Sequence, residues 1–396
     1  MILRAIRIMG TIGALLAILT FLASTAMAWS VSDPLFVPFL VRGALSQNQP
    51  PQPPQLLWPL ENGVNQALDV NLWWLANDPD GDALFYDVYF SEGQGQPLEL
   101  VVTGQANTTY NPGMLKASTS YSWQVVAKDS HGASATGPIW HFSTGDGSLN
   151  VSEMVFVPPG AFQMGCDPAN NNGSACTRDE LPLHEVYLDA FAIDKYEVTN
   201  GRYHACVQAG QCSPIPDQSS STRQSYAYNP EYVDFPAIWI NWSQAVEFCA
   251  WDGKRLPTEA EWEKAARGSQ DTRPFPWGNE APDCSRANFL YGGSRGMCVG
   301  DTVKVGSYPN GASPYGAMDM AGNIWEWVND SFQLDYYSIS PYANPPGPAT
   351  GKSKVLRGGN WQYDWTWMRT TDRLSYDNPW HHHFFVGFRC ALSLGR

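Results

Sequence analysis

The placement of the cysteines constrains this chain most, because all eight of them lie after Gly165 in a sequence of 396 residues. An even number of cysteines in an exported chain is typical of a disulfide framework. Eight cysteines can pair in about a hundred ways, so closeness in sequence is only a guide. A zinc site is the alternative, although no Cys-x-x-Cys spacing occurs. By position the cysteines fall into four pairs, Cys166 with Cys176, Cys206 with Cys212, Cys284 with Cys298, and Cys249 with Cys390.

The N-terminus predicts export. Arg4 and Arg7 precede an apolar run over 8–22, and the stretch ends in Ala26-Met27-Ala28, which is the plan of a cleavable signal peptide over residues 1–28. An apolar run of this length could instead remain as a membrane anchor. We therefore expect a secreted, periplasmic or cell-surface protein.

The charge of the chain limits its partners. Removing the leader leaves 24 − 2 = 22 basic residues against 38 acidic ones, so the net charge moves from −14 to −16. A surface this acidic repels phosphate backbones. Nucleic acid is therefore excluded as a partner, and a protein, peptide or glycan ligand is expected, with association to a cell surface as a further expectation.

The first part of the mature chain predicts a spacer and a small β domain. Residues 29–55 end in QNQPPQPP at 47–54, which is typical of an extended polyproline-like linker. Over residues 56–146, short alternating runs at 70–75, 85–90, 98–102, 121–126 and 139–142 predict strands separated by turns. Through WW at 73–74, YDVYF at 86–90 and YSWQV at 121–125, this stretch resembles a fibronectin type III module, which implies a β-sandwich.

One turn of this module has two interpretations. Asp78, Asp80 and Asp82 alternate with Pro79 and Gly81, and aspartates at this spacing occur in calcium-binding loops. Aspartate, proline and glycine are also ordinary turn residues. The sequence leaves both interpretations open.

The rest of the chain carries a series of motifs in a fixed order. They are MVFVPPGAFQMG at 154–165, ELP at 180–182, YEVTN at 196–200, PAIWINW at 236–242, GKRLPTEAEWE at 253–263, PWG at 276–278, MAGNIWEW at 320–327, RGGNW at 357–361 and GFRC at 387–390. With these motifs, residues 150–396 resemble the formylglycine-generating enzyme, or sulfatase-modifying factor, family. The resemblance implies a variant of the C-type lectin fold, and so a mostly β, α+β protein with irregular loops and a few short helices.

Local patterns agree with this fold class. Apolar residues recur at helical spacing on both sides of Leu256-Pro257, and Thr258 with Glu261 forms a capping-box pattern at the start of a second helix. Trp325 and Trp327 alternate as on a strand, for which we expect one ring to be buried. The sequence therefore predicts two short helices beside a small sheet.

The resemblance also implies structural calcium and one particular disulfide. In the family a loop equivalent to 319–326 holds calcium, so the side chains of Asp319 and Glu326 and the carbonyls of Gly322 and Ile324 are the expected ligands. Carboxylates and carbonyls are the ligands that this hard cation requires. The resemblance implies a second site at Asn288 and Asp301. It also implies the pairing of Cys249 with Cys390.

The chain departs from the family at the catalytic positions. Family members oxidise a protein cysteine with copper(I), which is held by two cysteines five residues apart after the Gly-Gly motif. Soft thiolates select this ion. Here those positions are Tyr363 and Met368, and no cysteine lies between Cys298 and Cys390. We therefore expect no copper and assign no catalytic residue.

Three functions remain as hypotheses. The first is a calcium-stabilised ligand-binding or structural protein, a pseudoenzyme whose ligand groove lies within 361–385. The second is an active oxidase of the same type, acting on protein cysteine with altered chemistry. The third is a variable ligand-binding protein of a diversity-generating retroelement. Aromatic and short polar side chains typical of recognition surfaces occupy the segment. The expected groove residues are Trp361, Tyr363, Asp364, Trp365, Trp367, Trp380 and His381.

Overall fold

The computed structural model describes residues 48–394 except 67, 69, 95–97, 146–152, 293–295 and 377–379. The predicted signal peptide and most of the predicted linker lie outside these residues, and the predicted domain boundaries stay predictions. Among the described residues, none of the helices combines the length and the hydropathy needed to span a membrane.

Residues 48–145, which we call the sandwich region, consist of strands and turns. The five predicted strands are present, together with four strands of two to four residues that are too short to show alternation in the sequence. The strands are β1 Gln55–Trp58, β2 Gly63–Gln66, β3 Leu72–Leu75, β4 Leu84–Glu92, β5 Glu99–Gln105, β6 Thr109–Tyr110, β7 Ser120–Asp129, β8 Ser134–Thr136 and β9 Trp140–Thr144.

These strands form two sheets around one hydrophobic core. The first sheet has the order β1-β3-β6, and the second has the order β2-β9-β7-β4-β5 with β8 paired to β7. Antiparallel β4 and β7 pair along the whole length of β4, from Leu84 opposite Asp129 to Glu92 opposite Tyr121. Trp74 of the first sheet and Trp123 of the second are buried, and their ring centroids lie 6.2 Å apart. The region is therefore a β-sandwich, as expected.

Residues 153–394, the C-terminal region, contain less regular structure. Three small sheets have the orders β10-β13-β18, β11-β12 and β16-β15-β14-β17. The strands and helices are β10 Met154–Val157, β11 Gly160–Met164, β12 His184–Leu188, β13 Phe191–Asp194, α1 Asn200–Gln208, α2 Trp242–Trp251, α3 Glu259–Arg267, β14 Trp325–Ser331, β15 Lys354–Arg357, β16 Leu374–Tyr376, β17 Val386–Phe388 and β18 Ala391–Ser393. This composition confirms the predicted fold class.

Local signals account for the two predicted helices. Thr258 accepts a hydrogen bond from the backbone N–H of Glu261, whose side chain bonds back to the cap residue, so the predicted capping box is present at α3. Helix α1 was not predicted, because its sequence begins Asn-Gly, two residues of low helix propensity, and its apolar residues Tyr203, Cys206 and Val207 span little more than one turn.

The prediction that one of the two tryptophans of β14 is buried was wrong. Trp325 and Trp327 are both fully buried, because residues two apart on a strand share a face and this face belongs to the core. Glu326 points to the other face and is buried as well. Strand β14 therefore delivers a carboxylate to the interior.

Four disulfides staple the C-terminal region, with the pairing that the sequence spacing indicates. Three of them close short loops, and Cys249–Cys390 joins residues 141 positions apart. The short ones are Cys166–Cys176, Cys206–Cys212 and Cys284–Cys298. Because disulfides persist only in oxidising compartments, they indicate an extracellular or periplasmic environment.

Candidate functional site

The predicted groove segment exposes several aromatic rings. Tyr363 is 38% exposed, Trp367 is 37% exposed and Trp380 is 65% exposed. Trp367 lies in a 3-10 helix, Trp365–Met368, which begins where the Asp364 carboxylate accepts a hydrogen bond from the Thr366 backbone. This short helix exposes the ring of Trp367 and buries the side chain of Met368.

Ring contacts connect the exposed side chains into one surface. The ring centroid of Tyr363 lies 5.5 Å from that of Trp367 and 6.3 Å from that of Phe385. Phe385 stacks on His383 at 5.2 Å, and His383 lies 6.3 Å from the exposed His381. We call these five residues the aromatic surface. Trp380 adjoins it in the chain.

The aromatic surface rests on buried groups that limit its motion. Trp367 packs edge-on against the fully buried Trp325 at 6.5 Å. The backbone N–H of Tyr363 donates to Oδ1 of the buried Asn360 at 3.1 Å. Rigid aromatic rings bind ligands at a small cost in conformational entropy, so the arrangement suits recognition.

Not every predicted groove residue lies on the surface. Trp361 is only 2% exposed and its ring centroid lies 6.0 Å from that of Phe384, so it belongs to the core and its prediction as a groove residue was wrong. Trp365 is half-buried and lies 6.2 Å from Phe275. The Asp364 carboxylate caps the start of the short helix, because it accepts a hydrogen bond from the Thr366 backbone N–H.

The three consecutive histidines have different partners. Nε2 of His382 lies 3.0 Å from the Asn241 amide nitrogen and 3.1 Å from the Gln244 side-chain oxygen, whereas the His383 ring meets the hydroxyl of Tyr376. Burial lowers the pKa of both His382 and His383, which keeps these rings neutral at pH 7. The histidines do not gather around one point.

The residues at the family's copper positions do not fit that ion. Met368 is 1% exposed and packs in a cluster with Phe289 and Ala321, while Tyr363 offers a phenol, which is a hard ligand. Each of the eight cysteines is in a disulfide, and none is free. The chain therefore has no thiolate to offer copper(I).

The loop before β14 lies in a buried acidic cluster. Glu326 accepts two hydrogen bonds from the Arg389 guanidinium, at 2.6 and 2.7 Å, and one from the Trp262 indole at 2.8 Å. Asp319 accepts from the Gly306 backbone at 2.6 Å. Glu197, which sequence reasoning missed, accepts from the Asn323 amide at 2.6 Å, and its other oxygen accepts no hydrogen bond from the described residues.

The charges of this cluster do not balance. Glu197, Asp319 and Glu326 interact with one another around the single guanidinium of Arg389. Burial raises the pKa of Asp319 to about 6. Burial and the neighbouring carboxylates raise the pKa of Glu197 well above its usual range. Oxygen donors with excess negative charge fit a hard divalent cation. Both oxygens of Glu326 already accept hydrogen bonds from Arg389, so calcium at Asp319 and Glu326, with the carbonyls of Gly322 and Ile324, stays a prediction.

The second predicted calcium pair lies beside the first loop. The Asn288 amide donates to the Asp301 carbonyl at 2.7 Å, and the Asn288 side-chain oxygen is buried without a partner among the described residues. Gly322, at φ +82°, approaches so closely that an added Cβ would lie 2.5 Å from the Asn288 carbonyl. The Asp301 carboxylate already pairs with Arg223 at 3.0 Å. Asn288 therefore has an oxygen to offer, whereas Asp301 is already neutralised.

The fold and these loops agree with a comparison to known families. The model of the "Sulfatase-modifying factor enzyme 1-like domain" matches residues 143–394. The chain belongs to this family. Because the match includes the loop 319–326 and the segment 361–385, the acidic cluster and the aromatic surface are both parts of the sulfatase-modifying factor domain.

The individual relatives of this chain differ widely in name. It is 37% identical to the serine/threonine-protein kinase pkn1 of Chlamydia pneumoniae over 62% of this chain but only 38% of that protein. It is 33% identical to the formylglycine-generating enzyme of Streptomyces coelicolor, over 60% of this chain and 88% of that enzyme. PvdO from Pseudomonas aeruginosa superposes with a TM-score of 0.51 at 30% identity, covering 62% of this chain and 96% of PvdO. Membership alone therefore does not fix the activity.

Proposed function

We propose that this protein is an exported, non-catalytic member of the sulfatase-modifying factor family that binds a protein, peptide or glycan ligand. One observation carries the proposal: all eight cysteines are in disulfides. The two family copper positions hold the phenol of Tyr363 and the buried thioether of Met368. This chain therefore lacks the two thiolate ligands that hold copper(I) when family members oxidise a protein cysteine.

The aromatic surface supports ligand binding as the remaining role. Tyrosine and tryptophan supply large contact areas and dominate binding energies at many interfaces. Tyr363 and Trp367 keep more than a third of their surface exposed, although Met368, the next residue of the 3-10 helix after Trp367, is buried. Calcium at Asp319 and Glu326 would have a structural role, since both residues lie inside the protein.

An oxidation assay tests the first half of the proposal. Purified protein loaded with copper(I) is incubated with a Cys-x-Pro-x-Arg peptide under oxygen, and the peptide mass is measured. We expect no conversion to the aldehyde and no copper retained after gel filtration. Formylglycine in the peptide would overturn the proposal, and a formylglycine-generating enzyme run in parallel shows that the assay works.

A binding screen tests the second half. Wild-type protein is applied to a glycan microarray and to a phage-displayed peptide library, and bound ligands are measured again with Trp367→Ala and Tyr363→Ala. We expect each substitution to weaken binding at least about tenfold, which corresponds to about 1.4 kcal/mol.

The matched control is Trp251→Ala. Trp251 is 39% exposed, nearly the same as Trp367, but it lies at the end of α2 and lines a different cavity of about 1150 Å³ beside the sandwich region. Wild-type affinity is expected for this variant. Loss of binding in Trp251→Ala alone would move the ligand site to that cavity and contradict the proposal.

A further inference from the structure

The turn between β3 and β4 gathers three carboxylates at one point. Asp78, Asp80 and Asp82 each place an oxygen within 4.8 Å of the others. Among the described residues this is the single group of three acidic, histidine or cysteine side chains that meets this distance. Sequence spacing left a turn and a cation loop as equal interpretations, and the structure brings the three carboxylates as close together as a cation loop requires.

The central carboxylate of the group lacks a partner. Asp78 is 6% exposed, and its Oδ1 accepts from the backbone N–H groups of Asp80 at 2.8 Å and Asp82 at 3.2 Å. Its Oδ2 is buried and accepts no hydrogen bond from the described residues. The turn is therefore satisfied by one oxygen alone. A buried carboxylate oxygen without a partner is costly, so the second oxygen of Asp78 is available to ligate a cation.

The surrounding charges leave the group negative. Among the described residues, His131 is the one basic side chain in an ion pair with the three, at 2.9 Å from Asp82. Asp80 accepts from the backbone N–H of Gln49 at 2.6 Å, which adds a donor but no charge. Three carboxylates thus face at most one positive charge.

We propose that Asp78, Asp80 and Asp82 bind a calcium ion. Calcium takes oxygen ligands, aspartate carboxylates among them, at about 2.3–2.6 Å in a flexible geometry. The three carboxylates of this turn place oxygens close enough together to share one ion. The site is separate from the family's loop at 319–326 and lies in the sandwich region.

The ion would also fix how the chain enters the sandwich region. Gln49 contacts Asp80, and the side chain of Asn48 donates to Asp129 at 2.8 Å. Asp129 in turn holds the turn that carries His131. Calcium would join these contacts into one junction, and so stiffen the point where the proline-rich segment meets the first sheet.

Calcium binding by the full chain tests this site. Equilibrium dialysis with radioactive calcium at about 2 mM suits the affinities of extracellular modules, about 0.1–1 mM. We expect Asp80→Asn with Asp82→Asn to bind one ion fewer per chain than wild type, whatever the number bound elsewhere. Asp78→Asn, which keeps an oxygen to accept from the turn, is expected to weaken that ion at least tenfold.

Asp217→Asn is the control, because Asp217 is an exposed aspartate that accepts from the backbone of Ser219 but belongs to no such group. It should bind as many ions as wild type. Hydrogen exchange of the wild-type protein gives a measurement without any substitution, and calcium should protect residues 78–82 and 48–50 relative to chelator. An unchanged ion count in the double variant, or equal exchange with and without calcium, would overturn the proposal.

Discussion

The sandwich region and the C-terminal region provide hydrogen-bond partners for their backbone N–H and C=O groups in different ways. In the sandwich region β4 and β7 pair over nine residues, and strand ladders take up the N–H and C=O groups. In the C-terminal region strands of three to seven residues leave long irregular segments between them. Buried carbonyls on such segments need other donors.

Buried cations of the C-terminal region supply those donors. The guanidinium of Arg357 donates to the carbonyls of three consecutive residues, 370, 371 and 372, at 2.6 to 2.8 Å. Arg389 donates to the carbonyls of 194, 195 and 318, and Lys264 to those of 158 and 160. A side chain on or beside a short strand or helix thus donates to carbonyls that would otherwise pair with a neighbouring strand.

Each of these arginines also needs a counter-ion. Arg357 pairs with Glu263 at 2.6 Å and Arg389 with Glu326 at 2.6 Å, with no exposure on either side. In the sandwich region the Lys116–Glu92 pair, by contrast, is 72% and 50% exposed. An irregular fold can therefore be held by buried ion pairs and disulfides, whereas a regular one relies on strand ladders and an aromatic core.

The largest effect should come from the long disulfide. Replacing Cys249 and Cys390 by alanine frees a loop of 141 residues, which the chain-entropy model values at about 4–5 kcal/mol. The same change at Cys206 and Cys212, six residues apart, should cost about 2 kcal/mol. Urea denaturation followed by near-UV circular dichroism measures both. Equal losses would show that loop length does not govern the stability of this region.

Arg357→Met should have the next largest effect. It leaves three carbonyls without their donor and Glu263 without its closest cation, and breaking a buried pair costs about 3–5 kcal/mol. Arg357→Lys keeps the charge but loses the planar fork, so we expect an intermediate loss. Thermal unfolding gives the order of the three proteins.

Lys116→Met is the control from the sandwich region and should leave the melting temperature unchanged, because its pair is exposed to solvent. If Arg357→Met were equally harmless, buried ion pairs would not be what holds the irregular segments.

Patterns that act over a few residues could be predicted from the sequence. The capping box at Thr258 and Glu261 specifies the start of α3 through contacts three residues apart. The longer strands of the sandwich region show the same local regularity. The motifs of the C-terminal region predicted the fold class because their order is specific to the family.

Contacts between distant residues could not be predicted. Trp361 and Trp367 are six residues apart and chemically identical, yet tertiary packing buries the first and exposes the second. Glu197 enters the acidic cluster through Asn323, 126 residues later. No local pattern distinguishes these residues from their neighbours. The hypothesis that 361–385 varies among copies, and the leader over 1–28, stay predictions.

The smallest expected effect on stability comes from Asp372, a buried carboxylate whose negative charge the C-terminal region does not fully neutralise. Burial raises the pKa of Asp372 to about 7, against the lowering effect of Arg369, and one oxygen of Asp372 is buried without a partner among the described residues. The unfolded chain titrates this group near pH 4. The folded state therefore binds more protons between about pH 4 and 7, so stability falls as pH rises through that window.

Asp372→Asn should therefore gain stability only where the wild-type carboxylate is charged. We expect about 1–2 kcal/mol at pH 8 and no gain near pH 4. Asp271→Asn is the control of opposite sign, because a hydrogen bond from Arg273 lowers the pKa of this half-exposed group. It should lose less than about 1 kcal/mol above pH 4. A gain for Asp372→Asn that is the same at both pH values would mean that packing, and not the buried charge, limits the stability of the region.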